Sequence, residues 1–301
     1  MSQAPATTHS VPWTQRPPCR LPLPSGKVLD AGPRALVMGI LNVTPDSFSD
    51  GGRFFDTKAA VRHARDMAAA GADVLDIGGE STRPGSDPVP ADEEKRRVLP
   101  VIQELVADVD TTISIDTQKA EVAEAALEAG AEMINDVSAL RTDPDMAALA
   151  AERKVPVCLM HMQGAPKVMQ KDPKYGEVVS EVMAWLSERV EFAVEAGIER
   201  SMILADPGFG FGKTPQHNLE ILRRLHELHD LECAVMIGTS RKSTLGIVLN
   251  AQPDYRLYGT LATVACAVMS GCHMVRVHDV RPARDVVVVC EAVRRGMRWQ
   301  P

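Results

Sequence analysis

Short apolar runs alternate along this chain with longer segments in which apolar residues recur three and four positions apart. The runs predict eight buried strands at 36–41, 74–77, 112–115, 133–134, 155–160, 202–205, 233–237 and 274–277. The intervening segments predict helices at 57–70, 92–107, 118–129, 145–153, 175–196 and 216–228, within 256–270, and at 281–295. This alternation is typical of parallel strands joined by crossover helices.

Eight strand and helix pairs predict an α/β fold, a single-domain (β/α)8 TIM barrel over residues 31–301. Residues 1–30 are rich in proline and have no sustained period, which predicts a flexible tail or a short hairpin near residues 27–29 that closes the barrel floor. A doubly wound open sheet has the same alternation, but no GxGxxG follows the first strand. Glycines at 71, 130 and 197 predict the C-terminal caps of three helices.

Composition narrows the class of protein. The net charge of −7 argues against a nucleic-acid or anionic membrane surface. The chain has no apolar run long enough to span a bilayer and no signal pattern. Its six cysteines form no CxxC pair, so neither a disulfide framework nor a zinc site is expected. We therefore expect a cytoplasmic globular protein whose anionic ligands are attracted by a local basic cluster.

A long polar segment, 42–52, follows the first strand, where the loops of a barrel converge on one mouth. The amide oxygen of Asn42 is suited to ligate magnesium or to orient a phosphate. Phe48 lies among polar and glycine residues, which favours a mobile lid that closes over a ligand. The alternative is that Asn42 and Asp46 only form a turn around Pro45.

The second loop also has a composition suited to anions. Thr82 and Arg83 lie beside glycines, and an arginine offers a rigid fork for a carboxylate or phosphate. The alternative is a solvated arginine in an ordinary loop.

Three polar side chains directly end apolar runs and should point into the mouth. Asp116, Asn135 and Asp206 would complement a heterocycle that presents N–H donors and ring-nitrogen acceptors, as the edge of a pterin or guanine does. Capping of the next helix is the alternative role for Asp116 and Asn135.

Further residues are predicted to lie around such a ring. Phe211 is available to face a flat ring, and Met160 is expected to line its pocket. His161 is interpreted as structural, and Lys213 as a solvated loop residue whose Gly-Lys-Thr context resembles a nucleotide loop by coincidence.

A basic cluster follows the last two strands, where barrels often bind phosphate. It comprises Lys242, Ser243, Arg276 and His278. Arg276 and His278 are two residues apart and so share one face of an extended strand.

Taken together, seven segments resemble the dihydropteroate synthase family, folate-pathway enzymes inhibited by sulfonamides. These segments are 42–52, 79–85, 115–117, 134–136, 206–213, 239–243 and 276–279. The resemblance implies condensation of 6-hydroxymethyl-7,8-dihydropterin diphosphate with p-aminobenzoate to give 7,8-dihydropteroate and pyrophosphate. It also implies Mg²⁺ as cofactor, with Asn42 as its ligand, and a homodimer.

The resemblance also implies a role for each matching residue. The pterin would be held by Asp116, Asn135, Met160, Asp206, Phe211 and Lys242. The diphosphate would be bound by Asn42, Arg276 and His278. The aminobenzoate would be bound by Phe48, Thr82, Arg83, Pro84 and Ser243.

The chemistry of the residues agrees with this reaction. An arylamine is neutral near pH 7 and needs no strong base, and the sequence offers no evident Ser-His or Cys-His nucleophile. Mg²⁺, Arg276 and His278 would neutralise charge on the leaving diphosphate. We hypothesise a dissociative displacement in which Asp50 from the lid stabilises the cationic pterin. The catalytic residues are therefore predicted to be Asp50, Lys242, Arg276 and His278.

Two rival functions use the same ring-binding residues. A barrel that transfers a methyl group from methyltetrahydrofolate to a corrinoid protein needs no diphosphate cluster and no phenylalanine-tipped first loop. A non-catalytic pterin-binding barrel would lack lid or diphosphate residues, all of which this sequence has.

Overall fold

The computed structural model describes residues 13–44, 53–81, 88–164, 169–170 and 172–296, with only the backbone described at 53–56. Its strands are β1 (Arg20–Pro22), β2 (Val28–Asp30), β3 (Leu36–Asn42), β4 (Val74–Gly78), β5 (Thr112–Asp116), β6 (Met133–Asp136), β7 (Val157–Met160), β8 (Ile203–Asp206), β9 (Ala234–Ile237) and β10 (Met274–Val277). Its α-helices are α1 (Arg53–Ala69), α2 (Ala91–Asp108), α3 (Ala120–Glu128), α4 (Met146–Arg153), α5 (Val178–Glu195), α6 (Pro215–Arg223), α7 (Ser243–Leu249), α8 (Leu257–Met269) and α9 (Val280–Arg295).

Strands β3 to β10 form a closed parallel barrel. Each strand pairs with the next in sequence, and β10 returns to pair with β3, with Val275 opposite Val37. The predicted (β/α)8 barrel is therefore confirmed, and the doubly wound sheet is excluded because that sheet has two open edges. Closure brings the carboxyl ends of all eight strands to one mouth.

The floor of the barrel is apolar and is covered by a hairpin. Strands β1 and β2 pair antiparallel, with Leu21 opposite Leu29. Leu21 is fully buried and packs in one cluster with barrel residues that include Met38, Val74, Met133, Cys158, Leu204, Met236 and Met274. Of the two possibilities left for residues 1–30, the part from Arg20 to Asp30 thus forms a hairpin.

Glycines explain the C-terminal limits of three helices. The glycines at 71, 130 and 197 follow α1, α3 and α5 with φ of 95°, 108° and 98°, as predicted for C-terminal caps. The predicted helix 216–228 instead ends at Arg223 and continues as a 3₁₀ helix over Leu225–Leu231.

One α-helix among the described residues was not predicted from the sequence. The short helix α7 directly follows Lys242 and ends at Leu249, and Asn250 caps it with φ +50°. Separately, none of the helices within the described ranges is both long and apolar enough to cross a bilayer.

Candidate active site

A cavity of about 660 Å³ opens at the carboxyl ends of the strands. This volume suits a small ligand, for which pockets of about 300–1,000 Å³ are usual. Its lining includes ten of the residues predicted from the sequence: Asn42, Asp116, Asn135, Met160, Asp206, Phe211, Lys242, Ser243, Arg276 and His278. Residues separated by more than two hundred positions in the chain thus meet in one site.

Five predicted site residues lie outside the described residues. These are Phe48, Asp50, Thr82, Arg83 and Pro84. Asp46 lies outside them as well. Their proposed roles remain predictions.

An ion-pair network lies at the bottom of the cavity. Arg276 on β10 donates from Nε to Oδ2 of Asp76 and from Nη2 to Oδ2 of Asp116, both at 2.6 Å. Asp76 also accepts a hydrogen bond of 2.8 Å from Nδ2 of Asn135. These contacts use only part of the donor set of the guanidinium, and Arg276 also lines the cavity.

Asp76 was missed by sequence reasoning. It lies in the middle of β4 rather than at its end, and it is fully buried. The available signal was a carboxylate inside an otherwise apolar strand, since a buried charge requires a partner. That partner, Arg276, is 200 residues away in the chain.

Burial shifts the pKa values of the charged groups that line the cavity. Loss of solvent raises the pKa of Asp116 to about 7, although Arg276 opposes this rise. Loss of solvent also raises the pKa of Asp206, opposed by a 2.7 Å hydrogen bond from the backbone N–H of Gly208. The pKa of Lys242 is lowered to about 7 by burial and by Arg276. Asp116 and Lys242 thus both have pKa values close to neutral pH.

An apolar wall adjoins these charged groups. Phe211 and Met160 are buried and pack with Val137 and Met169. The ammonium of Lys242 lies 3.9 Å from the centroid of the Phe211 ring, a distance typical of a cation–π contact. A flat ring in this cavity would have apolar side chains against its face and polar groups around its edge.

The expectation that Lys213 is solvated was wrong. Its side chain is buried, and Nζ lies 2.8 Å from Nδ1 of His161, 3.0 Å from the carbonyl oxygen of Gly208 and 3.1 Å from that of Phe211. Burial lowers its pKa to about 7. Lys213 thus joins the loop after β8 to the end of β7.

His161 has the structural role expected from the sequence. It is buried, its ring meets the edge of Trp185 at 4.9 Å between centroids, and burial lowers its pKa to about 3. A Cβ atom on Gly208 would lie 1.8 Å from the carbonyl oxygen of His161, so only glycine permits this close approach.

The residues predicted to bind the diphosphate also line the cavity. Nδ1 of His278 lies 2.9 Å from Oγ of Ser240. Burial and the nearby Arg276 lower the pKa of His278 to about 4, so its imidazole is neutral at pH 7. Asn42, at the end of β3, is half-buried. The neutral imidazole of His278 therefore offers a hydrogen bond rather than the positive charge expected from the sequence.

The fold and site define a class of protein, a (β/α)8 barrel whose mouth is suited to a flat polar heterocycle with an anionic arm. The sequence profile of a family described as "Pterin binding enzyme" matches residues 38–278. This chain belongs to that family, and within it to the dihydropteroate synthases. The resemblance seen in the sequence motifs is therefore confirmed.

Individual relatives support this assignment. The dihydropteroate synthase of Escherichia coli (strain K12) is 48% identical over 256 residues, which cover 85% of this chain and 90% of that protein. A structure of the Xanthomonas albilineans enzyme with 4-aminobenzoic acid has a TM-score of 0.86 and 46% identity, covering 92% of this chain and 99% of that one. A structure of the enzyme from the same species with 7,8-dihydropteroate has a TM-score of 0.83 and 44% identity, with coverages of 91% and 98%.

The buried Lys213 generates a prediction. Replacing Lys213 by Met should lower the free energy of unfolding by about 1–3 kcal/mol, because carbonyl groups that it satisfies would be left unpaired. Urea unfolding measures this change. Lys174→Met is the matched control, since the side chain of Lys174 is 81% exposed, and it should be nearly neutral. Equal stability of the two variants would contradict a structural role for Lys213.

Proposed function

We propose that this protein condenses 6-hydroxymethyl-7,8-dihydropterin diphosphate with p-aminobenzoate, giving 7,8-dihydropteroate and pyrophosphate. The observation that carries the proposal is the meeting in one cavity of a ring-binding set and a diphosphate-binding set of side chains. Family membership supports the same reaction.

The ring would be held in the inner part of the cavity. Asp116 and Asp206 can accept hydrogen bonds from the N–H groups of a pterin, and Lys242 can donate one to its carbonyl oxygen. Phe211 and Met160 would pack against the ring. Because the pKa values of Asp116 and Lys242 lie near 7, the site can adjust its protonation to the ring.

The diphosphate would lie against Arg276, His278 and Asn42. Asn42 lines the cavity and offers an amide oxygen. This donor fits Mg²⁺, which usually keeps several waters and binds to one or two protein oxygens together with substrate phosphates. The amide oxygen of Asn42 would be that ligand. A bound Mg²⁺ would supply neutralisation of the charge on the departing pyrophosphate.

The reaction would proceed by a dissociative displacement. The bond between the methylene carbon and the diphosphate oxygen breaks, and the oxygen keeps the electron pair. Arg276 and His278 donate hydrogen bonds to the leaving diphosphate as its negative charge grows. The amine nitrogen then forms a bond to the methylene carbon with its lone pair and releases a proton to solvent. Asp50, in the first loop, is proposed to stabilise the cationic ring before the amine adds.

The aminobenzoate site is proposed at the rim. Ser243 begins α7 and lines the cavity, so it can meet the carboxylate of the amine substrate. The other proposed contacts are Phe48, Thr82, Arg83 and Pro84.

All six cysteines are free in the structure, which supports the proposal of a cytoplasmic protein.

The first functional prediction concerns activity. Purified protein with the pterin diphosphate and Mg²⁺ should release pyrophosphate rapidly only when p-aminobenzoate is present, and EDTA should abolish the release. Enzyme-coupled detection of pyrophosphate measures the rate. Ring binding without amine-dependent release would contradict the proposal and indicate a non-catalytic pterin-binding protein.

Two substitutions should distinguish the residues that bind the ring from those that bind the diphosphate. Asp206→Asn should weaken binding of 6-hydroxymethylpterin, which has no diphosphate, by roughly 10- to 100-fold because a charged acceptor is lost. His278→Gln should leave that binding within about 2-fold and weaken binding of the diphosphate form by about 10-fold. Calorimetric titration of both ligands into both variants measures this. Equal effects of both substitutions on both ligands would contradict the assignment.

We also propose that the protein is a homodimer. Supporting this, apolar residues are exposed on and near α7 and α8, among them Ile247 at 65%, Tyr255 at 77% and Tyr258 at 82%. A second copy of the chain would cover them.

The assembly is testable by light scattering after size exclusion. The natural protein should have the mass of a dimer, and Ile247→Glu should shift it toward the monomer because a charge would be buried in the interface. Val106→Glu is the control, since Val106 is 47% exposed on α2, away from this surface, and should remain dimeric. A natural protein that is monomeric at every concentration would refute the proposal.

A further inference from the structure

Asp76 lies beneath the cavity rather than in its lining. Its side chain is fully buried and lies on β4, where the residue is paired in register with Ser114 of β5. It contacts two residues that do line the cavity, Arg276 at 2.6 Å and Asn135 at 2.8 Å. Asp76 is therefore placed to act on a ligand only through other side chains.

The contact with Asn135 restricts the orientation of its amide. A carboxylate accepts hydrogen bonds and cannot donate them, so only the NH₂ end of the Asn135 amide can face Asp76. The carbonyl oxygen of Asn135 must then point away from Asp76. Because Asn135 is buried and lines the cavity, this oxygen is available to accept a hydrogen bond from a ligand N–H.

The ion pair with Arg276 strengthens this restriction. The same atom, Oδ2 of Asp76, accepts from both Arg276 and Asn135. The guanidinium fixes the position of that oxygen, and a flipped Asn135 amide would place its own oxygen against a carboxylate oxygen. Like partial charges at hydrogen-bonding distance in the interior would be strongly unfavourable.

Packing alone does not account for Asp76. Its other oxygen, Oδ1, has no hydrogen-bond partner among the described residues, and neither has the neighbouring Oγ of Ser114. An unpaired polar atom in the interior costs stability, so an apolar residue of similar size would serve packing better. The function of the Asp76 carboxylate is therefore found in the contacts of Oδ2 with Arg276 and Asn135.

We propose that Asp76 is a positioning residue that locks the amide of Asn135 with its carbonyl oxygen toward the ligand, and that it thereby selects rings presenting an N–H donor over rings presenting a carbonyl at that edge. This inference rests on the proposed pterin pocket. An asparagine at position 76 could either donate or accept, so it would permit both orientations of the Asn135 amide.

The test compares two ring probes that lack the diphosphate, which keeps the role of Arg276 at the anionic arm out of the measurement. The probes are 6-hydroxymethylpterin and the corresponding lumazine, in which a carbonyl oxygen replaces the 2-amino group. The measured quantity is the ratio of their dissociation constants. The natural protein should favour the pterin, and Asp76→Asn should reduce this preference by about 10-fold, the effect of one buried hydrogen bond. Asp116 and Asp206 should preserve the remainder.

Ser114→Ala is the matched control. Ser114 is also buried and is the cross-strand neighbour of Asp76, but its Oγ makes no hydrogen bond within the described residues. It should keep the natural preference. Asp76→Ser, which leaves room for water, repeats the measurement if thermal unfolding shows that Asp76→Asn does not fold.

A double-mutant comparison tests whether Asp76 acts through Asn135. Adding Asp76→Asn to Asn135→Ala should change the preference no further, because the amide that Asp76 orients is already absent. An unchanged preference in Asp76→Asn, or additive losses in the double variant, would overturn the inference. A natural protein that binds neither ring would overturn the proposed function as well, which distinguishes the two failures.

Discussion

The site depends on a guanidinium held between two carboxylates in the interior of the barrel. Arg276 pairs with Asp76 and Asp116, while Lys242 lies near Asp206, so three acids face two bases. Burying charges is costly unless they are paired, and here the acids exceed the bases by one. Burial, together with neighbouring carboxylates such as Asp76, raises the pKa of Asp116 to about 7 although Arg276 opposes this rise. A ring that brings N–H donors would stabilise the same acids without a proton.

The barrel has an apolar floor and a charged mouth, and this separation makes the ion-pair network possible. The lower interior is apolar and is packed against the hairpin that carries Leu21. Asp116, Asp206, Lys242 and Arg276 line the cavity at the mouth. Electrostatic interactions are stronger where water is excluded, so the closed floor increases both the cost of an unpaired charge and the selectivity for a complementary ligand.

The sequence predicted what depends on local pattern and missed what depends on distant partners. Strand ends are visible as the point where an apolar run stops, which is why Asp116, Asn135 and Asp206 were assigned to the mouth correctly. Asp76 lies inside such a run, and its partner is 200 residues away. Lys213 was misassigned because two of its acceptors are backbone carbonyl oxygens, which have no sequence signature. The segments that carry Phe48 and Thr82 lie outside the described residues, so their roles still rest on resemblance.

The two ends of the cavity differ in how they would respond to a ligand. Asp116 and Lys242 have pKa values of about 7, whereas His278 is neutral at pH 7 because burial and the nearby Arg276 lower its pKa. An arriving diphosphate would favour the charged imidazole and so raise the pKa of His278, whereas release of pyrophosphate would lower it again. Proton uptake on binding would then be confined to the pH range between the pKa of about 4 in the free protein and the higher pKa of the bound state. The charge on His278 would therefore follow the diphosphate, while Arg276, held by two acids, stays charged throughout.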